Sequence, residues 1–174
     1  MNTSKNLKGF TLIEMLIYIA VFTIASGLLI GILSTVTRVQ NRETASAEVT
    51  QNLEFVLQNI QRYVRESSNI DIPAGVATST LKLRTNNSST DPILIFTDTS
   101  NTAVYFKQGT GVSTTLTSNR VTIGNFSVTK YENPSGHATV QLDMTLNYNS
   151  ANAPLFTNVS RTLSTAIARV SAAT

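Results

Sequence analysis

Glu14 is the one side chain in the first third of this 174-residue chain that is placed to do something chemical. It is the only charged residue in the 24-residue run from Phe10 to Leu33, which is otherwise rich in Ile, Leu, Val, Ala and aromatic side chains. A carboxylate at membrane depth costs roughly 2.5–3.5 kcal/mol on insertion scales, so it ordinarily has a partner and a purpose. No comparable constellation occurs elsewhere. His137 is the single histidine and there is no cysteine, so no metal site or disulfide framework can be assembled from those residue types. Asp91, Asp98 and Asp143 are scattered, and Asp98-Thr99-Ser100-Asn101 is only a faint echo of a calcium loop. Gly109 and Gly111 lack the strand–helix context and the following lysine of a phosphate loop. No acid–base or nucleophile pair is visible. The expectation is therefore a protein that is not an enzyme and carries neither metal nor cofactor.

The residues around Glu14 form a recognisable order. A short polar leader with two cations, Lys5 and Lys8, ends in Gly9, and Lys8-Gly9-Phe10-Thr11-Leu12-Ile13-Glu14 opens directly into the apolar run. This resembles the processing and N-methylation motif of type IV prepilins, shared by pilins and by the pseudopilins of type II secretion systems. The resemblance covers roughly Lys5 to Leu33. It implies cleavage after Gly9 by a membrane-embedded prepilin peptidase and methylation of the new amino terminus on Phe10. Glu14 then becomes the fifth mature residue, one helical turn from a cationic amine. Pairing of the Phe10 amine with the Glu14 carboxylate of an adjacent subunit lowers the desolvation cost of both and sets the axial register of the two subunits. The family's further partners are other pilin or pseudopilin subunits, an assembly ATPase and a polytopic platform protein.

The elements that must position these groups can be read from periodicity. At about 1.5 Å per residue the run spans roughly 36 Å, enough to cross a hydrocarbon core of about 30 Å. No small-residue cleavage site follows it, so it is not an ordinary secretory signal. Neither Pro nor Gly interrupts the pattern between Leu33 and Pro73. Val39, Val49, Leu53, Val56, Leu57, Ile60 and Val64 make one apolar stripe, with Glu43, Glu54, Arg62, Arg65 and Glu66 on the opposite arc. One helix from about Thr11 to Ser67 follows, with Phe55 off the stripe as either a subunit contact or an incidental exposed ring. Gly27 and Gly31 have the G-x-x-x-G spacing of close helix approach. The family offers a second reading, local unwinding of the helix in the filament, and tolerance of glycine in membrane helices is a third.

From Asn69 the pattern changes to short strands and polar turns. Ile70–Thr80 reads as a connection with Pro73 and Gly75, Leu81 and Leu83 as a strand, and Ile93–Phe96 as a continuous apolar, buried strand. Val104 and Phe106 alternate with polar neighbours, and Gly109–Ser118 reads as a loop. The phase shift at Gly124-Asn125 predicts a β-bulge between Ile123 and Phe126. Val140, Leu142, Met144, Leu146 and Tyr148 make the clearest strand, preceded by the turn Asn133-Pro134-Ser135-Gly136. Val159, Leu163 and Ile167 fit either another strand or a helix. One antiparallel sheet, apolar on one side and covered by the amphipathic half of the helix, is the expected head. The fold class is thus α+β, in the ladle arrangement that the pilin resemblance implies. Its segments are a leader at 1–9, a transmembrane half-helix at 10–33, an amphipathic half-helix at 34–68 and a globular β domain at 69–174.

Charge adds little about partners. The formal charge of +3 falls to 11 basic against 10 acidic residues once Lys5 and Lys8 leave with the leader, so a nucleic-acid partner has no support from overall charge. Arg120, Lys130 and Tyr131 could contribute to a basic, aromatic surface for DNA, but ordinary exposed strand residues explain them better. Only 13% of residues are charged, and Ser, Thr and Asn crowd the second half, a common style for exported domains. Many pilins carry a disulfide near the C-terminus, and this chain has no cysteine for one. Lys5 and Lys8 flank the span on one side and Arg38 and Arg42 on the other, so orientation rests on the family resemblance. That resemblance places a single-pass protein in the cytoplasmic membrane with its head outside, later incorporated in a pilus or pseudopilus. The preferred reading is a minor pilin or type II secretion pseudopilin. The alternatives are a membrane-anchored extracytoplasmic binding module that never polymerises, or a tip adhesin or DNA-uptake pilin.

Overall fold

The computed structural model describes residues 10–133, 137–149 and 158–169. Helix α1 runs unbroken from Leu12 to Glu66, 55 residues, as the absence of Pro allows. The chain divides into two compact units, the first ending at Asn41 and the second starting at Arg42.

In the first unit the helix is apolar around its circumference from Met15 to Leu33, apart from Thr23 and Ser26. Its most apolar window has a mean hydropathy of 2.5 and none of it is buried, and Leu12 and Phe22 are 83% and 73% exposed. Its threonines return their hydroxyl protons to the helix itself. Thr23, Thr35 and Thr37 donate to the carbonyls of Ile19, Gly31 and Leu33 at 2.7, 3.0 and 2.9 Å. That back-bonding leaves no hydroxyl donor of these three unsatisfied in an apolar surrounding.

In the second unit α1 becomes amphipathic. Ala45, Val49, Leu53, Val56, Ile60 and Val64 are buried, spacings of three and four that keep one stripe inward. Val39, expected on this stripe, is instead 52% exposed. The buried stripe begins with Ala45, whose small side chain had not marked it as a packing position. Glu43, Glu54, Arg62, Arg65 and Glu66 are exposed as expected. The helix stops at a pair of serines. Ser67 Oγ donates back to the Val64 carbonyl at 2.8 Å, while Ser68 donates from N and Oγ to the Arg84 carbonyl at 2.8 and 3.0 Å, turning the chain into a sheet.

Among the described residues nine strands follow: β1 (Asn69–Ile70), β2 (Ala77–Thr78), β3 (Thr80–Arg84), β4 (Ile93–Thr97), β5 (Val104–Gln108), β6 (Thr114–Thr115), β7 (Val121–Glu132), β8 (Ala138–Tyr148) and β9 (Ser160–Ala168). They form two antiparallel sheets, β1-β3-β4-β5-β6 and β2-β7-β8-β9, where a single sheet was expected. The division falls at Ser79. Thr78 pairs with Val128 of one sheet, Thr80 pairs with Phe96 of the other, and the Thr78 hydroxyl reaches the carbonyls of Thr80 and Val128 at 3.0 and 3.2 Å. The expected connection Ile70–Thr80 therefore contains strand β2, and the Gly109–Ser118 loop contains β6. Ile93–Phe96 is a strand, but only Ile93 and Ile95 of it are buried. The bulge is present as a register shift between Ile123 and Asn125. Of the turn before β8 only Asn133 lies within the described residues, and the β7–β8 hairpin it serves is formed. The segment carrying Leu163 and Ile167 is a strand, paired with β8 from Thr139↔Ala168 to Asn147↔Ser160.

The core lies between the α1 stripe and the inward faces of both sheets, with Leu81, Leu83, Ile95, Val128, Leu142, Met144 and Leu146 essentially inaccessible. Tyr63 of α1 stacks on Phe106 of β5 at 4.7 Å, and Arg62 lies 4.5 Å over the Tyr63 ring. One loop position depends on glycine. Gly109 has φ +50°, and a Cβ there would stand 2.8 Å from the Ser89 carbonyl oxygen. We expect Gly109→Ala to lower the stability of the second unit by about 1–3 kcal/mol, read as a lower urea midpoint at unchanged slope.

Candidate functional site

The start of α1 is capped by Thr11, with the Thr-x-x-Glu spacing of a capping box. Thr11 is the N-cap: its carbonyl accepts the first helical bond from Met15 N at 3.2 Å, and its hydroxyl accepts from Glu14 N at 3.4 Å. Glu14 occupies the third helical position, where Thr-x-x-Glu spacing brings a carboxylate back toward the cap and the helix dipole favours its charge. It is half-buried, while Ile13 and Met15 beside it are exposed. Phe10 precedes the cap, 72% exposed, with its ring edge-on to Tyr18 at 6.4 Å. Lys5, Lys8 and Gly9 lie outside the described residues. The geometry brings Phe10 and Glu14 to the same end of one helix, about a turn apart, at the edge of the apolar segment.

Gly27 and Gly31 sit one turn apart with no atom within 4 Å of where a Cβ would be. With Leu28, Ile32, Thr35 and Val36 they line a shallow groove of about 400 Å³. The backbone stays helical through both, so the isolated chain contains no unwound segment there.

In the second unit the polar residues singled out in the sequence make local contacts. His137 is exposed, its N–H bonded to Asn133 Oδ1 at 2.9 Å. Asp98 gives one oxygen to the Thr102 N–H and the other to the Thr102 hydroxyl, both at 2.8 Å, which uses it as a turn residue. Asp143 accepts from Ser164 and Gln141. Among the described residues no three His, Asp or Glu side chains are grouped to hold a metal. Arg120, Lys130 and Tyr131 do not share one environment. Lys130 is buried, 8% exposed, and ion-paired with Glu132 at 3.2 Å, whereas Arg120, 3.8 Å from Glu48, and Tyr131 are exposed.

Sequence reasoning missed a polar clasp between α1 and the loop before β7. Ser118 N donates to Asn52 Oδ1 at 2.8 Å, and Ser118 Oγ donates to Glu48 Oε1 at 2.9 Å. The i, i+4 spacing of Glu48 and Asn52 on a helix face was the available signal. Asn52→Ala strands a part-buried backbone donor and should cost about 1–2 kcal/mol, checked by thermal melting against the wild type. A second tie joins Arg169 Nη1 to the Ser68 carbonyl at 2.6 Å, placing a cation just past the helix C-terminus.

Two carboxylates carry a pH signature. The hydrogen bond from Lys82 holds Asp71 below its ordinary 3.8, and the backbone N–H of Thr102 does the same for Asp98. Their folded values lie under the unfolded ones, so both groups stabilise the fold above about pH 3.8 and lose that contribution as pH falls through the folded values. We expect an acid-side decline in the melting midpoint below that pH that Asp98→Asn reduces.

Residues 4–35 match the family model of the prokaryotic N-terminal methylation motif, the signature of type IV pilins and pseudopilins. The match encloses the capping box and the apolar helix, and it supports a type IV pilin-like subunit, a structural role rather than a catalytic one. It implies processing by prepilin peptidase and assembly with other pilins, and with the apolar helix it fits a membrane-anchored protein. No curated protein and no solved structure matches the chain.

Proposed function

We propose that this chain is a minor pilin or pseudopilin that is cut after Gly9 and built into a filament through the end of α1. The observation that carries this is the coincidence of the methylation motif at residues 4–35 with a capped helix start at Thr11. In the precursor, residues 1–9 form the leader, with Lys5 and Lys8 holding it at the cytoplasmic face. Hydrolysis of the Gly9–Phe10 peptide bond frees the Phe10 amine, which is methylated and meets the Glu14 carboxylate of the adjoining subunit. Residues 10–33 exchange lipid for like helices, and Gly27 and Gly31 allow either close approach or local adjustment there. Residues 34–68 and the β domain at 69–174 remain extracytoplasmic. An assembly ATPase and a platform membrane protein supply the extraction.

Mass spectrometry of the N-terminal peptide from the membrane fraction tests this directly. The expected peptide begins at Phe10 and carries one N-methyl group, a mass gain of one CH2. A mature chain that still starts at Met1 refutes the proposal and favours a membrane-anchored binding module.

A further inference from the structure

An open sheet edge invites a further strand, and three of the four edges among the described residues are blunted by being short. β1 and β6 end the five-stranded sheet and β2 ends one side of the four-stranded sheet, each with two residues. β9 ends the other side with nine residues, and no described strand pairs with its outer edge. From Thr162 to Ala168 it carries neither charge nor proline. The cations at its ends are tied back: Arg161 Nη2 donates to Ser46 Oγ of α1 at 3.1 Å, and Arg169 Nη1 to the Ser68 carbonyl at 2.6 Å. The hydroxyls of Thr162 and Ser164 bond to Thr145 and Asp143 on β8. Tyr148 N donates to the Val159 carbonyl at 2.8 Å and Arg169 N to the Ala138 carbonyl at 3.1 Å. In that ladder the odd-numbered residues of β9 face β8, and Thr162, Ser164, Ala166 and Ala168 aim their N–H and C=O groups at the open edge.

We propose that this edge pairs with the same edge of a second copy, antiparallel, about a two-fold axis at Thr165. The uncharged run is centred on Thr165, so the axis lays it on itself. Ser164 then opposes Ala166 and Thr162 opposes Ala168 as hydrogen-bonded pairs, while Leu163 opposes Ile167 and Thr165 opposes Thr165 as the closer, non-hydrogen-bonded pairs. Leu163, partly exposed in the single chain, gains an apolar neighbour. A strand bearing charges would meet none of opposite sign along this run. Beyond it Arg161 opposes Arg169, which confines the pairing to about 24 Å at about 3.4 Å per residue. An edge of that length buries less than the roughly 1,200 Å² of a standard interface, so single copies pair weakly and arrays of copies strongly. The axis stands normal to the sheet and reverses the part of α1 packed on it. Subunits of one filament share a direction and meet heterologously, whereas this contact is isologous and closed. It therefore joins one array of copies to another, a role beyond filament growth.

The chain has no cysteine, so Thr165→Cys is a clean reporter. Opposed non-hydrogen-bonded residues have Cα atoms about 4.5 Å apart, within reach of a disulfide. The full-length protein in an uncharged detergent, mildly oxidised, should give a disulfide dimer. Adding Ala166→Lys, at an exposed position, should cut the dimer yield about tenfold at an unchanged melting midpoint. Leu163→Cys, displaced from its own copy across the axis, and Thr129→Cys on β7 should stay near background. The result does not depend on cleavage after Gly9, because the precursor carries the same edge. A Thr165→Cys yield no higher than that of Thr129→Cys overturns the proposal. So does equal cross-linking of Leu163→Cys, which excludes the register. A yield that ignores Ala166→Lys overturns it in favour of chance collision between chains clustered through the apolar helix.

Discussion

Glu14→Ala should leave the protein in the membrane at wild-type abundance and cut its incorporation into sheared filaments by more than a hundredfold. Insertion depends on the apolar helix, whose most apolar window has a mean hydropathy of 2.5, and losing a carboxylate makes that segment more apolar still. Assembly in the proposed mechanism depends on a pair. Removing one member of a buried ion pair leaves an uncompensated charge and costs about 3–5 kcal/mol, which exceeds the 2.7 kcal/mol or so equivalent to a hundredfold. Thr11→Ala separates this role from capping. It removes the hydroxyl that accepts from Glu14 N, costs about 1 kcal/mol of helix-end stability, and keeps the carboxylate, so its defect should be less than tenfold. Normal filament content in Glu14→Ala would end the pairing model. An equal defect in both variants would assign Glu14 to the helix cap.

Legibility in the sequence followed the length of each periodic segment. The stripe from Val49 to Val64 and the alternation from Val140 to Leu146 are long enough that one misjudged residue does not change the outcome, and both packed as read. Strands β1, β2 and β6 are two residues each. Ala77-Thr78 and Thr114-Thr115 carry no alternation at all, and their pairing is set by what lies beside them in space. That is why the division into two sheets at Ser79 was not legible. Val159, Leu163 and Ile167 repeat every four residues, a spacing that is even, as a strand requires, and close to the helical 3.6. Only pairing with β8 decides between them.

Lys130 illustrates a different failure. Val128 and Lys130 are two apart on one strand and so share a face, which the alternation of β7 turns inward. Residue type alone puts Lys130 at the surface, and register puts it inside. A lysine can follow register inward because its stem is apolar and its ammonium reaches Glu132 at 3.2 Å. At the amino terminus the reverse held. Thr11-x-x-Glu14 has the spacing of a capping box, and the same carboxylate lies in an apolar run where a partner subunit could answer it. The two roles are compatible, since a carboxylate held at its own helix start is also presented at the end where a neighbour's amine would arrive.

Ile60→Ala should be the most damaging conservative truncation on α1, lowering the stability of the second unit by about 2–5 kcal/mol. Ile60 is completely buried, midway between Val56 and Val64 on the stripe that both sheets pack against. Its removal leaves a cavity that the flanking β-branched side chains have few rotamers to fill. Phe55 is the control: larger, one turn earlier, but 51% exposed, so Phe55→Ala should change stability by no more than about 0.5 kcal/mol. Urea unfolding of the two variants, followed by far-UV circular dichroism in detergent, measures both. The order is informative because side-chain size predicts the opposite. If Phe55→Ala proved the more destabilising, the inward stripe of α1 would have to be rotated by about 100° per residue of error, and the buried face assigned to Val49, Leu53, Val56, Ile60 and Val64 would be wrong. If neither moved the midpoint, the β-strands would be stable without the helix, and the amphipathic half of α1 would be free to serve contacts between subunits.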